Sequence, residues 1–106
     1  MTFAEYQTRV AGVPVSLRNN RDRINLPIMG LQEEAGKIGS LMGKAFSSGK
    51  SAITPEESKI LQARLSEILW YVALLCNETG ISMQDTAEKS VALVQARAKE
   101  LDQDRR

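Results

Sequence analysis

The chain contains no histidine, one cysteine, three prolines, one tryptophan, two tyrosines and two phenylalanines. The missing histidine removes the commonest general base and the commonest zinc ligand, and with them any Ser-His-Asp arrangement. A single cysteine excludes an intrachain disulfide and any Cys-x-x-Cys pair, and suits a reducing compartment. Cys76 follows Leu74-Leu75 inside an apolar run, so a buried structural thiol is expected rather than a nucleophile. Neither sign of charge dominates: 14 basic and 13 acidic residues give a formal +1. No charge excess therefore argues for nucleic acid or an anionic membrane as partner. No apolar stretch approaches the roughly 18 residues of a membrane span. The opening Met1-Thr2-Phe3-Ala4-Glu5-Tyr6-Gln7 is polar and lacks the layout of a signal peptide. No membrane association and a cytoplasmic location are expected.

What is present is ordinary for a small soluble protein: 106 residues, 42% apolar and 25% charged. One domain spanning 1–106 is expected, large enough for one core with little margin. Strand signals are few and helix signals recur. A first helix is predicted over about residues 2–12, carried by Phe3, Tyr6, Gln7 and Val10 and ended by Pro14. Ser16 to Asn25, with Arg18, Arg21 and Arg23, reads as a solvated connector; a phosphate-contacting arm is the other reading. A second helix is predicted to start near Pro27, where a first helical position needs no amide donor. Ile28, Leu31, Ala35, Ile38, Met42 and Ala45 give it an apolar stripe, and the Ser/Gly run 47–51 ends it.

Thr54-Pro55-Glu56-Glu57 has the pattern of a capping box, Thr at the N-cap and Glu three residues on. Leu61, Leu65, Ile68, Val72 and Leu75 supply the stripe of this third helix, Leu69 and Cys76 widen it, and Gly80 supplies a left-handed stop. Ser82 caps a fourth helix in which Met83, Ala87, Val91, Val94 and Leu101 are expected to face inward. The charged tail, Arg97 to Arg106, is expected to fray. Four helices with short loops indicate an all-α four-helix bundle. The third helix is apolar around more than half its circumference, so completion by a homodimer or higher homo-oligomer is expected.

The remaining chemistry is a stripe of charge beside the apolar faces of the second and third helices. Glu34 and Lys37 lie three apart, as do Arg64 and Glu67, so each pair projects from neighbouring points of one face. Tyr71 continues the second stripe. The order Gly30-Leu31-Gln32-Glu33-Glu34-Ala35-Gly36-Lys37, Lys44, Gly49, then Arg64-Leu65-Ser66-Glu67-Ile68-Leu69-Trp70-Tyr71, Gly80-Ile81-Ser82 and Arg97 resembles the MazG-like nucleotide pyrophosphohydrolases. Thr2-Phe3 and Tyr6-Gln7 are similar to the opening of that family, and the resemblance covers nearly the whole chain. It implies a MazG-like four-helix bundle and two acidic pairs, Glu-x-x-Glu and Glu-x-x-Asp, holding magnesium against substrate phosphates.

Here the pattern departs. Glu34 matches the first acid and Glu67 stands in for the last, but Lys37 and Arg64 occupy the two middle positions. Leu93 and Ser90 fall where the family has lysine and asparagine. A protonated Lys or Arg offers magnesium no lone pair, and formal charge at the four positions falls from −4 to 0. One unit charge at 4 Å is worth about 4 kcal/mol at an effective dielectric near 20, so two reversals outweigh ordinary tuning. Glu33 is adjacent but lies about 100° around the helix from Glu34. If the two helices pack antiparallel, as the resemblance implies, complementary pairing of Glu34 with Arg64 and Glu67 with Lys37 is the expectation; drift of two exposed charges with no new role is the other reading.

Three functional readings follow. In the first, the chain is a catalytically impaired relative that binds a nucleotide or a partner, with Lys37, Lys44 and Arg64 meeting phosphates directly. Trp70 or Tyr71 would stack on a base, although packing is the simpler reading for Trp70. In the second, an active magnesium-dependent enzyme cleaves a nucleoside triphosphate to monophosphate and pyrophosphate, with Glu34 and Glu67 as residual catalytic and metal residues. The third is a structural dimerisation module. Nucleotide-dependent stabilisation separates the first from the third, and its magnesium dependence separates the second from both.

Overall fold

A computed structural model describes residues 1–14, 20–47, 49 and 51–104, and these form four helices and no strand among the described residues. They are α1 (Phe3–Ala11), α2 (Asn20–Phe46), α3 (Pro55–Thr79) and α4 (Met83–Asp104). The all-α expectation therefore holds. No helix is long and apolar enough to cross a membrane among the described residues.

Local chemistry accounts for the boundaries. Thr54 accepts from the Glu57 amide at 3.1 Å while the Glu57 carboxylate takes the Thr54 amide at 2.8 Å. Thr2 and Glu5 repeat that capping box on α1. Gly80 stops α3 at φ 73°, a left-handed conformation that glycine adopts without a Cβ penalty. Ser82 Oγ accepts from the Asp85 amide at 3.1 Å and so opens α4.

Three expectations are corrected. α2 starts at Asn20, not near Pro27, so residues 20–25 of the expected connector are helical; Arg18 lies outside the described residues. Pro27 sits inside α2, where its missing amide leaves a carbonyl one turn back without that donor. Its ring is fully buried, and that packing offsets the lost bond. Along α4 only the first turns reach the bundle. Met83 is buried and Ala87 half-buried, but Val91, Val94 and Leu101 are 57%, 61% and 61% exposed. The tail remains helical to Asp104 rather than fraying from Arg97, consistent with the strong helix propensity of Ala, Lys, Glu, Leu and Gln.

α2 and α3 pack antiparallel: Gly30 meets Tyr71, Glu34 meets Arg64, and Lys44 shares a cavity with Ile60. α1 closes the other side of α3, and Val10, Ala73, Cys76 and Met83 form the core, with Tyr6, Trp70, Val72 and Leu74 packed around it. Gln7 fastens three elements. Its amide donates to the Ile81 carbonyl at 2.9 Å, its side-chain oxygen accepts from the Met83 amide at 2.8 Å, and its own carbonyl accepts from Asn77 at 3.2 Å.

Burial pushes the Tyr6 hydroxyl above its ordinary value of 10.0, helped by the Glu67 carboxylate, and pushes the Cys76 thiol above 9.0. A raised folded-state pKa means the fold holds the proton more tightly than the unfolded chain does. The stability this carries is full below the unfolded value and lost as pH rises through the folded one. Urea midpoints are expected to fall from about pH 9 upward. Tyr6→Phe should flatten the part of the decline above about pH 10. An unchanged decline in Tyr6→Phe would assign the loss to other groups.

Candidate functional site

The central feature of the α2–α3 contact is a buried carboxylate. Glu34 is 5% exposed, the one buried charged residue among those described. It faces α3 because it lies one turn from Gly30, which the Tyr71 ring presses against. Its Oε1 is 3.3 Å from Lys37 Nζ, and its Oε2 is 3.3 Å from Arg64 Nη1. Arg64 also reaches Oε1 at 3.5 Å. The exposed Glu33 adds a looser contact to Lys37 at 3.9 Å.

The pairing expected from sequence is thus half present. Glu34 does take Arg64, but Lys37 takes Glu34 on its own helix rather than Glu67. An intrahelical partner three residues away needs no reach across the bundle, whereas Glu67 is exposed and lies close enough to Tyr6 to perturb its hydroxyl. Contacts of 3.3–3.5 Å are longer than the roughly 2.7–2.9 Å of a tight charge-assisted bond. In keeping with this, Glu34 Oε2 and Arg64 Nε are buried with no hydrogen-bond partner.

Beside this cluster lies a cavity of about 340 Å³ lined by Lys37, Ser40, Leu41, Lys44, Ile60 and Arg64. Its surface is mostly apolar, and the three cations that the charge pattern singled out stand around it. Against the Glu34 carboxylate they leave a formal +2, or +1 if Glu33 is counted. Ser40, three residues after Lys37 and four before Lys44, adds a hydroxyl that sequence reading missed. Its helical spacing from the two lysines was the available signal.

The aromatic candidates are elsewhere. Trp70 packs on the α1 side with Tyr6 and Val10, and Tyr71 is held against Gly30. Leu93 and Ser90 stand on the exposed part of α4.

The donor set does not fit magnesium. No group of three or more His, Cys, Asp or Glu converges among the described residues. The Glu34 carboxylate faces Lys37 at Oε1 and Arg64 at both oxygens, so its lone pairs already meet two cations. A dication there would meet one carboxylate and two positive charges, where hard-cation sites need several oxygens.

No family model matches the chain, and no solved structure matches it. The chain is 33% identical over 69 residues to Gene 37 protein of Mycobacterium phage L5, a stretch covering 65% of this chain and 60% of that one. The matched stretch is thus less than two thirds of the relative's length. That name specifies neither ligand nor reaction, so the functional argument rests on the cleft.

Proposed function

We propose that this chain is a MazG-like helical protein that binds phosphate-bearing ligands, a nucleotide in the first instance, through cations rather than magnesium, without turning them over. The observation carrying this reading is the convergence of Lys37, Lys44 and Arg64 on one cavity whose neighbouring carboxylate is already occupied by two of them. Ammonium and guanidinium groups bind phosphate oxygens directly by charge-assisted hydrogen bonds. The buried Glu34 has the role of a fixed counter-ion, orienting Arg64 and Lys37 before a ligand arrives. The same scaffold acts as a homo-oligomer in this reading.

The surviving-enzyme reading needs two acids to share one metal. With Glu34 clamped and Glu67 beside Tyr6, no observation favours it.

The test is a thermal-shift panel of ribo- and deoxyribonucleoside triphosphates, with and without magnesium, run beside a pyrophosphate-release assay. Expected are stabilisation by a triphosphate at about 100-fold excess over its dissociation constant, worth about 2.7 kcal/mol, independence from magnesium, and no pyrophosphate. Lys44→Ala and Arg64→Ala should each weaken the stabilisation. Turnover by the unmodified chain that Glu34→Gln abolishes would overturn the proposal.

A further inference from the structure

The cleft between α2 and α3 pairs its cations with an apolar floor. Lys37 and Lys44 are seven residues apart on α2, about 10 Å along the axis and nearly two turns, so they share a face. Leu41 lies between them, four residues after Lys37 and three before Lys44. On α3, Ile60 stands one turn before Arg64. The helices run antiparallel with Glu34 against Arg64, so Ile60 comes level with α2 beyond Lys37, where Leu41 and Lys44 are. Leu41 is half-buried and Ile60 is 49% exposed. The result is an aliphatic strip with Lys37 and Arg64 at one end and Lys44 at the other.

Such a strip is selective about what a phosphate carries. Ser40 is the one uncharged polar side chain among the described residues that line the cavity. Trp70 and Tyr71 pack elsewhere, so neither ring is there to stack on a base. A base or ribose laid on Leu41 and Ile60 would bring ring nitrogens, carbonyls and hydroxyls against carbon. Those groups would lose water with little but Ser40 to replace it, and an unmade hydrogen bond costs more than a made one returns. An alkyl chain carries no such groups and gains by covering both side chains. The cavity of about 340 Å³ is at the small end of the roughly 300–1,000 Å³ usual for ligand sites, which suits a diphosphate with a chain of about five carbons.

We infer that the cleft recognises phosphate or diphosphate esters of short aliphatic alcohols. Lys37, Lys44 and Arg64 take the phosphate oxygens, and Leu41 and Ile60 take the first carbons of the chain. A nucleotide is held by its phosphates alone. Phospholipid headgroups fit less well, because the atoms next to their phosphate belong to a polar glycerol. The inference rests on the phosphate-binding reading and adds to it the class of ligand.

Calorimetric titration of the intact chain tests it with three diphosphate esters that share one charged head: isopentenyl diphosphate, methyl diphosphate and ADP. Isopentenyl diphosphate is expected to bind about tenfold tighter than methyl diphosphate, the gain from covering a few carbons in an open cleft. ADP should bind no tighter than methyl diphosphate. Ile60→Gln, at an exposed helix position, should bring the ratio of the first two affinities close to one, with helicity retained by circular dichroism. Lys44→Ala should weaken both and leave their ratio standing. Equal binding of the isopentenyl and methyl esters overturns the inference and leaves phosphate binding intact. ADP binding tighter than isopentenyl diphosphate also overturns it, since base or ribose would then be read. A preference that survives both Ile60→Gln and Leu41→Ala overturns the assignment to this floor. If none of the three binds, the phosphate-binding reading falls and the inference falls with it. Phosphatidylcholine vesicles containing phosphatidic acid should not carry the chain down on centrifugation; co-sedimentation that isopentenyl diphosphate reverses would assign the cleft to a lipid headgroup and overturn the short-chain ester.

Discussion

Replacing Arg64 by methionine is expected to destabilise the chain by about 2–3 kcal/mol, more than most surface substitutions. The loss comes from what stays behind. Glu34 has its side chain 7% exposed, and without Arg64 it keeps only Lys37, which is 47% exposed. Breaking a fully buried pair costs about 3–5 kcal/mol; the 31% exposure of Arg64 and the remaining lysine bring the figure down. Removing both charges should cost much less, because an apolar pair of similar volume is often neutral in such a place. Glu34→Leu in the Arg64→Met background should therefore recover most of the loss. Urea unfolding of the four proteins in this cycle gives the coupling directly, and a value below about 0.5 kcal/mol would mean the pair does not hold α2 to α3. The apolar pair should also lose the nucleotide-dependent thermal shift, since one cation and the group that orients the others are both gone.

The second large effect is steric. A Cβ at Gly30 would stand 2.5–2.6 Å from three carbons at the hydroxyl end of the Tyr71 ring. Gly30→Ala is expected to push the helices apart at a cost of about 1–3 kcal/mol, overriding the gain of about 1 kcal/mol that alanine brings to a helix interior. Gly36→Ala is the control: open space surrounds that position, so only the helix-propensity gain should appear there. In a Tyr71→Ala background the sign at Gly30 should invert, since the ring is gone. A melting temperature unchanged or raised by Gly30→Ala in the native background would show that α2 and α3 are not held at this distance. The cleft would feel the same push, because Glu34 sits one turn beyond Gly30 and its contacts to Arg64 are already at 3.3–3.5 Å.

These effects divide along the line between what was legible in the sequence and what was not. Caps and stops at Thr54, Gly80 and Ser82 were legible because each depends on residues within four positions. The helix count was legible because periodicity is a property of one helix, but the α2 and α3 stripes were legible only in part: Ile28, Ala35, Leu65 and Leu69 are exposed, and Gly30 and Glu34 take the face of α2 against α3. The start of α2 was misread because proline is compatible with both a first helical position and a well-packed interior one, and the burial of Pro27 decided between them. On α4 the apolar stripe itself was read correctly. What it packs against was not, since periodicity reports which face is apolar and never whether anything in the same chain covers it.

By itself, then, the sequence determined an all-helical chain with no histidine chemistry and no intrachain disulfide. Those conclusions follow from composition and short-range spacing. Only the tertiary structure decided that Glu34 is buried, that Lys37 turns to Glu34 and not Glu67, and that Lys44 and Ser40 share a cavity with Arg64. It also decided that Trp70 and Tyr71 pack away from that cavity. The reason is physical: a helix sets the angle of each side chain about its own axis, but rotation and register between helices are set by contacts such as Tyr71 on Gly30, made by residues far apart in the chain.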